Sequence, residues 1–164
     1  MRSLWISLLF TLALHAQPVR DMTVGVWQIV TKSTSENHTH VTEKRSLWLK
    51  ADHTLEILTL VNLKKGEHFI KDLQIKANGI WKRYNTTLVL VIQKIDVPVA
   101  KEVSRTITQR SLKSLAATYQ AHLRESPIHI DTITFLDHKK LTIIDEKGVE
   151  TTYIKKIAPK STHH

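Results

Sequence analysis

The stretch from His68 to Arg83 constrains the fold most strongly, because apolar and polar residues alternate along most of its length. One face carries Phe69, Leu73, Ile75, Ala77, Gly79 and Trp81, and the other carries His68, Asp72, Gln74, Lys76 and Asn78. Successive side chains of a β-strand point to opposite faces of its sheet. The pattern therefore predicts a long strand with one buried face and one face in water.

A glycine stands two residues before a tryptophan at Gly79-Ile80-Trp81 and again at Gly25-Val26-Trp27. The glycine lets a neighbouring backbone approach closely, and the indole two residues later fills a large volume on the same face. This spacing is typical of the closed floor of a small β-barrel. Trp27 and Trp81 are predicted to plug the core, to form the floor of a ligand cavity, or to do both.

Seven further stretches carry strand patterns, and most of them are joined by short polar turns. They are Thr23 to Lys32, Arg45 to Lys50, Thr54 to Val61, Leu88 to Ile95, Ile128 to Leu136, Lys140 to Asp145 and Val149 to Lys155. The polar stretch from Ser33 to Thr42 is predicted to be a loop, and Asn62 to Glu67 a turn around Gly66.

The period becomes helical between Ser111 and Glu125, where Leu112, Leu115, Tyr119 and Leu123 form one stripe. Ser126-Pro127 ends this helix, since proline cannot continue it. With eight strands in succession, closure into an up-and-down ring removes the exposed sheet edges. The predicted fold is therefore mainly β: an eight-stranded antiparallel lipocalin-like barrel with one inserted helix, about Ser111 to Glu125.

The first sixteen residues have the pattern of a secretory signal, with one basic residue, an apolar run from Leu4 to Leu14 and a small residue at Ala16. The run is about half the ~20 residues that a membrane span needs, so a short uncleaved anchor is the alternative. We predict residues 1–16 as the signal, 17–156 as the barrel domain and 157–164 as a loose polar tail.

The chain has no cysteine and a formal net charge of +9. An exported domain without a disulfide is stabilised by its core alone, which suits a bacterial periplasm. The basic residues are scattered and lack the interleaved aromatics of a single-strand nucleic-acid binder. Together with export, this argues against direct nucleic-acid binding. The charge suits a solvated surface, or attraction to an acidic partner or an anionic membrane face.

Eight residues are candidates for lining the barrel floor or a ligand cavity, because they fall on the predicted inward faces. They are Trp27, Ile29, Leu49, Phe69, Leu73, Ile75, Trp81 and Leu90. Trp48 differs, because Leu47 and Leu49 form the inward pair and leave its indole facing outward. An outward tryptophan indicates a partner interface. The alternative is that the helix or a long loop covers it.

Catalytic motifs are missing from the sequence, which has no Gly-x-Ser-x-Gly nucleophile, no carboxylate pair at a suggestive spacing and no glycine-rich phosphate loop. His38 and His40 lack further ligands at a metal-binding spacing. We therefore predict no enzymatic activity, no metal and no cofactor. His53, His68, His122, His129 and His138 are candidates for a pH sensor, with ordinary surface histidines as the alternative.

Three features together resemble a known family. They are the strand pair from Leu47 to Val61 around Asp52-His53-Thr54, the Gly79-Ile80-Trp81 strand followed by Leu88 to Val91, and the helix before a three-strand ending that closes on Gly148 to Lys155. This arrangement is similar to the small periplasmic accessory proteins of ToxS and VtrC type, and to the fimbrial accessory regulators PsaF and MyfF.

The resemblance implies a periplasmic accessory protein that forms a heterodimer with the periplasmic domain of a ToxR-like, single-span transcription regulator. It would stabilise that domain as a chaperone and promote virulence or fimbrial gene expression. The resemblance also implies association with the inner membrane, through the partner or an uncleaved N-terminal segment, and binding of a bile-salt-like molecule. A pH signal through the histidines is a second kind of stimulus. The alternative function is a stand-alone periplasmic lipocalin-like binder of a small hydrophobic ligand.

Overall fold

The computed structural model describes residues 21–97, 100 and 102–156, which contain nine strands and one helix. The predicted signal, 1–16, and the predicted tail, 157–164, lie outside the described residues. The elements are β1 (Gly25–Thr34), β2 (His40–Leu49), β3 (Thr54–Lys65), β4 (His68–Tyr84), β5 (Thr87–Asp96), β6 (Glu102–Val103), α1 (Gln109–Glu125), β7 (Ile128–Leu136), β8 (Lys140–Ile144) and β9 (Glu150–Lys155).

Eight of these strands close into an antiparallel barrel, which confirms the predicted fold class. The ring runs β1-β2-β3-β4-β5-β7-β8-β9, and β9 pairs back onto β1. The two-residue strand β6 was not predicted. It pairs with Ile70 and Lys71 of β4, beyond the point where β5 has ended.

Strands β1, β2 and β3 extend beyond the residues whose apolar pattern predicted them. The predicted loop from Ser33 to Thr42 is wrong for half of its length, because Ser33 pairs with Val41 and Thr34 with His40. Strand pairing needs only backbone groups, so the exposed polar residues continue the hairpin without a buried face. Strand β3 likewise continues to Lys65, which leaves a short turn at Gly66.

A β-bulge in β4 corrects the predicted orientation of Phe69. Val61 pairs with Leu73 and Leu63 with Ile70, so β4 carries one residue more than β3 between these pairs. Asp72 has a positive φ of 53°, and its N–H donates to Asn62 Oδ1 at 2.8 Å. An extra residue reverses the alternation of faces beyond it. As a result Ile70 is buried, and Phe69 is only partly buried.

The closed floor forms around the two tryptophans, as the Gly-x-Trp spacing predicts. Trp27 is 0% exposed and Trp81 is 2% exposed. Trp27 Nε1 donates to Thr23 O at 2.7 Å, and Trp81 Nε1 donates to Lys50 O at 2.9 Å. Each indole therefore donates a hydrogen bond to a segment outside its own strand. The acceptor of Trp27 lies before β1, and the acceptor of Trp81 is the residue after β2.

Gly79 is the point of closest approach between β4 and β5. A Cβ at this position would overlap the carbonyl oxygen of Val91. Strand β5 bulges opposite it, because Asn78 pairs with Lys94 and Gly79 pairs with Ile92. At Gly25 the close neighbour is the flexible side chain of Lys155, whose Nζ lies 4.6 Å from the centre of the Trp27 ring.

Side chains fill the barrel in two main clusters. The floor cluster comprises Trp27, Leu47, Leu49, Leu55, Trp81, Leu88, Leu90, Ile133, Leu141, Ile143 and Tyr153. The helix cluster comprises Val61, Ile70, Leu73, Ile75 and Leu112. The first holds the closed end of the barrel, and the second attaches the helix to the long strands β3 and β4.

Helix α1 begins two residues before the predicted start and ends at the predicted residue, Glu125. Thr108 caps it, because its Oγ1 accepts a hydrogen bond from Ser111 N at 3.2 Å. Leu112 is buried in the helix cluster, and Leu115 and Tyr119 pack against it. The side chain of Leu123, also predicted to lie in this stripe, is outside the described residues.

We expect Gly79→Ala to destabilise the barrel by about 3 kcal/mol or more, since the added methyl overlaps backbone that cannot rotate away. Urea unfolding followed by tryptophan fluorescence measures this loss. The matched control is Gly66→Ala, whose Cβ meets open space and whose φ of 58° costs about 1–2 kcal/mol. Equal losses for the two variants would contradict the close approach.

Candidate functional site

Uneven strand lengths leave openings in the wall of the barrel. Strand β9 pairs with β1 only at Trp27 and Gln28, and β8 pairs with β7 only from Thr132 onward. Residues Ile29–Thr34 of β1 and Ile128–Asp131 of β7 therefore have a strand neighbour on one side only, within the described part of the chain. We call the opening beside this part of β7 the notch.

The notch contains a cavity of about 320 Å³ lined by charged groups from three places in the fold. Strand β2 contributes Arg45, the C-terminal cap of α1 contributes Ser126, and β7 contributes Ile128, His129, Ile130 and Asp131. The turn after β8 contributes Asp145, Glu146 and Lys147. A cavity with several charged groups beside the packed barrel core makes this notch our candidate functional site.

Asp131 is the buried group of the notch. It is only 6% exposed, because it lies on the inward face of β7 with Ile133 and pairs with Leu88. Its carboxylate accepts no hydrogen bond from the described residues, and Arg45 acts on it only at longer range. Burial, followed by the charges of Asp145 and Glu146, raises the pKa of Asp131 to about 6, while Arg45 opposes the shift.

Asp145 and His129, which lie near Asp131, differ in their hydrogen bonds and in their charge at pH 7. Asp145 is fixed by its turn, because its Oδ1 accepts from Lys147 N at 2.9 Å and from Val149 N at 2.8 Å. His129 lies on the same inward face as Asp131. Burial and then the charge of Arg45 lower the pKa of His129, with Glu146 opposing. A lowered pKa keeps the imidazole neutral at pH 7, so Arg45 and Lys147 are the cations of the notch.

Sequence reasoning missed this cluster. Asp131 and Asp145 looked like separate strand and turn residues, because their separation in the chain indicates no pairing. The topology brings them together, since β7 and β8 are antiparallel neighbours and Thr132 pairs with Ile144. The local pattern pointed the other way, because the apolar Ile128 and Ile130 alternate with His129 and Asp131, and yet the structure buries Asp131.

A second feature lies on the outer face of the barrel beside the notch. Ile80 of β4 pairs with Val91 of β5, and Val91 pairs with Ile128 of β7. Val89 pairs with Ile130 in the adjacent row. Opposite residues on one face of a sheet have Cβ atoms about 5 Å apart, so these five side chains adjoin. We call Ile80, Val89, Val91, Ile128 and Ile130 the outer stripe.

The predicted floor and cavity residues occupy two different places. Trp27, Leu49, Trp81 and Leu90 are buried in the floor cluster, with Ile29 packed against it. Leu73 and Ile75 are buried in the helix cluster. Phe69 instead lines a cavity of about 110 Å³ with Ile70 and Ile107. The eight predicted residues therefore do not surround one shared cavity.

Trp48 lies on the face opposite the buried Leu47 and Leu49, as expected, and is partly buried there. Its cross-strand neighbours are Val26 and Glu56. Its part in a partner interface stays a prediction. The outer stripe extends over other strands and was not predicted from the sequence.

The histidines proposed as pH sensors are dispersed. The His53 ring lies 5.2 Å from the Trp81 ring, and His68 Nδ1 is 2.7 Å from Thr106 Oγ1. His129 is in the notch, and His138 lies in the turn after β7. The side chain of His122 is outside the described residues.

The part of the chain that the structure describes has neither a metal-binding cluster nor a membrane-spanning helix. No group of three or more His, Cys, Asp or Glu side chains there is placed to hold a metal ion. No helix there is long and apolar enough to cross a membrane. Comparison with models of known protein families finds no match, and comparison with curated proteins finds no matching relative.

Asp131 gives the stability a defined pH dependence. Its pKa rises on folding from an ordinary 3.8 to about 6, so the folded state favours the neutral acid. This contribution is full below about pH 4 and is lost as the pH rises through about 6. At about 1.4 kcal/mol for each unit of pKa, ionised Asp131 costs the fold at most about 3 kcal/mol at neutral pH.

We therefore expect Asp131→Asn to stabilise the protein by about 2 kcal/mol near neutral pH and by little near pH 4. Urea unfolding of both proteins across this range measures the difference. Asp137→Asn is the control of opposite sign, because N–H groups of Lys139 and Lys140 lower the pKa of Asp137. A stability difference for Asp131→Asn that does not change with pH would contradict the buried ionisation.

Proposed function

We propose that this protein is a periplasmic accessory protein that binds and stabilises the periplasmic domain of a ToxR-like membrane transcription activator. By doing so it promotes expression of virulence or fimbrial genes. The order of strands and helix supports the proposal through the resemblance described above. The observation that carries it is the outer stripe, which crosses three strands and ends at the open edge of β7.

The outer stripe has the composition of a binding surface. Ile80 is 45% exposed, Ile128 is 55% exposed and Ile130 is 46% exposed. Single exposed apolar residues are common, but a contiguous apolar patch on a soluble protein marks an interaction site. Burial of apolar area at about 25 cal/mol per Å² is the main favourable term in such association.

The open edge of β7 adds directional contacts to this surface. Ile92 N donates to Pro127 O at 2.7 Å, and Ile133 N donates to Thr86 O at 2.6 Å. Odd-numbered residues of β7 therefore face β5, and the backbone groups of Ile128 and Ile130 point toward the notch. A partner strand can pair with such an edge and cover the stripe at the same time.

Charge favours an acidic partner. The formal net charge of +9 is spread over the chain, so an acidic domain would be attracted at long range before contact. Such steering raises the association rate more than the final affinity. The apolar stripe would then supply the short-range part of the interaction.

Stabilisation of the regulator would follow from mass action. A protein that binds only the folded regulator domain stabilises it by about 2.7 kcal/mol at a concentration one hundred times its dissociation constant. That shift reduces the unfolded population available to proteases more than tenfold. A chaperone-like effect of this kind needs no catalytic group.

The interior of the barrel does not support the alternative, a stand-alone binder of a small apolar ligand. The floor tryptophans, Leu49 and Leu90 are packed against one another in the floor cluster. Helix α1 fills the space against β3 and β4 through Leu112. Recognition in this proposal therefore uses the outer stripe and the notch.

A pH signal can act through the notch in this proposal. Asp131 changes charge near pH 6 and is adjacent to the edge on which the partner would pair. Such a signal acts only if the ionised and neutral forms differ in their affinity for the partner. Near neutral pH, a partner that seals the notch must bury the ionised carboxylate or protonate it.

We expect Ile80→Thr combined with Ile128→Thr to weaken binding of the regulator's periplasmic domain about tenfold or more, because two apolar contacts are replaced by hydroxyls. Threonine keeps the β-branched shape that suits a strand. Co-expression with the periplasmic domain of a ToxR-like regulator, followed by co-purification and titration calorimetry, measures the effect.

The matched control is Val149→Thr combined with Ile154→Thr. These residues are 56% and 51% exposed and lie outside the outer stripe. We expect this pair to leave the affinity unchanged. If the wild-type proteins elute separately and the lifetime of the regulator is the same without this protein, the proposed function is wrong. If both variant pairs bind equally, the stripe is not the interface.

A further inference from the structure

We infer that the notch is a binding site for a small organic cation, an aliphatic amine whose ammonium group lies between Asp131 and Asp145. The site goes beyond partner binding, and the isolated protein is sufficient to test it. Failure of this inference would therefore leave the proposed function standing, and the reverse also holds.

The first observation is the uncompensated carboxylate. Asp131 is 6% exposed and lines the cavity, and its carboxylate accepts no hydrogen bond from the described residues. A largely buried carboxylate without a hydrogen bond or an ion pair is costly. A cation entering the notch would supply a partner for this carboxylate.

The second observation is the sign of the surrounding charge. The groups that face Asp131 are Arg45 from β2, His129 from β7, and Asp145, Glu146 and Lys147 from the turn after β8. Three carboxylates oppose two fixed cations, and His129 is neutral at pH 7 because its pKa is lowered. The notch therefore carries an excess negative charge that favours a cation.

The geometry favours an organic cation over a metal ion. Ca²⁺ and Mg²⁺ need oxygen ligands converging within about 2.0–2.6 Å. Among the described residues no three acidic or histidine side chains converge in this way. A cavity of about 320 Å³ is also much larger than a bare ion requires. An ammonium on an aliphatic chain fits this volume.

The second carboxylate of the site is held in place before a ligand binds. The Asp145 carboxylate is already held by its turn through Lys147 N and Val149 N, so binding does not have to order it.

Proton and amine would compete for the same carboxylate. Ionised Asp131 attracts the ammonium, and protonated Asp131 does not. Because burial and neighbouring carboxylates raise the pKa of Asp131 to about 6, affinity for the amine should fall as the pH drops through that value. Binding near pH 6 should also release protons, by reciprocity.

The test uses the full mature chain and spermidine, with 1,4-diaminobutane as a shorter amine. Titration calorimetry near neutral pH, at constant ionic strength, measures saturable binding, and amide NMR shifts locate it. We expect the largest shifts in Ile128–Asp131 and in the turn from Asp145 to Val149. We expect Asp131→Asn to weaken binding about tenfold or more, and a pH near 5 to do the same.

Glu67→Gln is the matched control, because Glu67 is an exposed acid in the turn between β3 and β4. The substitution removes one negative charge from a residue that does not line the notch, so the affinity should be unchanged. Three results would each overturn the inference: no saturable binding of either amine by the wild type, equal affinity in Asp131→Asn, or displacement of spermidine by Mg²⁺ at a lower concentration than the amine itself requires.

Discussion

The approach of β5 to the backbone of Gly79 is the contact on which the rest of the structure depends. It brings β4 and β5 close enough for Trp81, Leu88 and Leu90 to pack into one floor cluster with Trp27. The chain has no disulfide, so this cluster and the helix cluster supply the cohesion of the domain. A methyl group at Gly79 would act on backbone, and backbone in a closed ring has few ways to relax.

The packed floor cluster stabilises the barrel even though its strands differ in length. Strands β1 to β4 continue past the length of β8 and β9, which leaves the open edges and the notch. Asp131 is then buried enough to shift its ionisation, yet its carboxylate lines a cavity. A buried acid of this kind costs stability, and the packed floor offsets that cost elsewhere in the same domain.

Features that depend on local side-chain period were predictable from the sequence, and those that depend on distant pairing were not. The alternation around Trp81, the Gly-x-Trp spacing and the helix ending at Glu125 specified the closed barrel. The bulge at Asp72 was hidden, because one extra residue changes no local pattern and yet turns Phe69 away from the core. The notch was hidden for a related reason: Asp131 and Asp145 meet only after β7 and β8 pair. The extension of β1 to Thr34 used backbone bonds that polar side chains do not reveal.

The partner surface and the cation site would share one carboxylate, and this constrains how they can work together. Asp131 borders the open edge of β7, so anything that covers the edge changes its solvation. A covering strand without a cation would raise the pKa of Asp131 further through burial, whereas a bound amine would lower it. By reciprocity, a proton would favour the covered form and an amine would favour whichever form leaves the carboxylate ionised. If both proposals hold, a single residue would make partner binding respond in opposite directions to acid and to amines, with no change in the fold of the barrel.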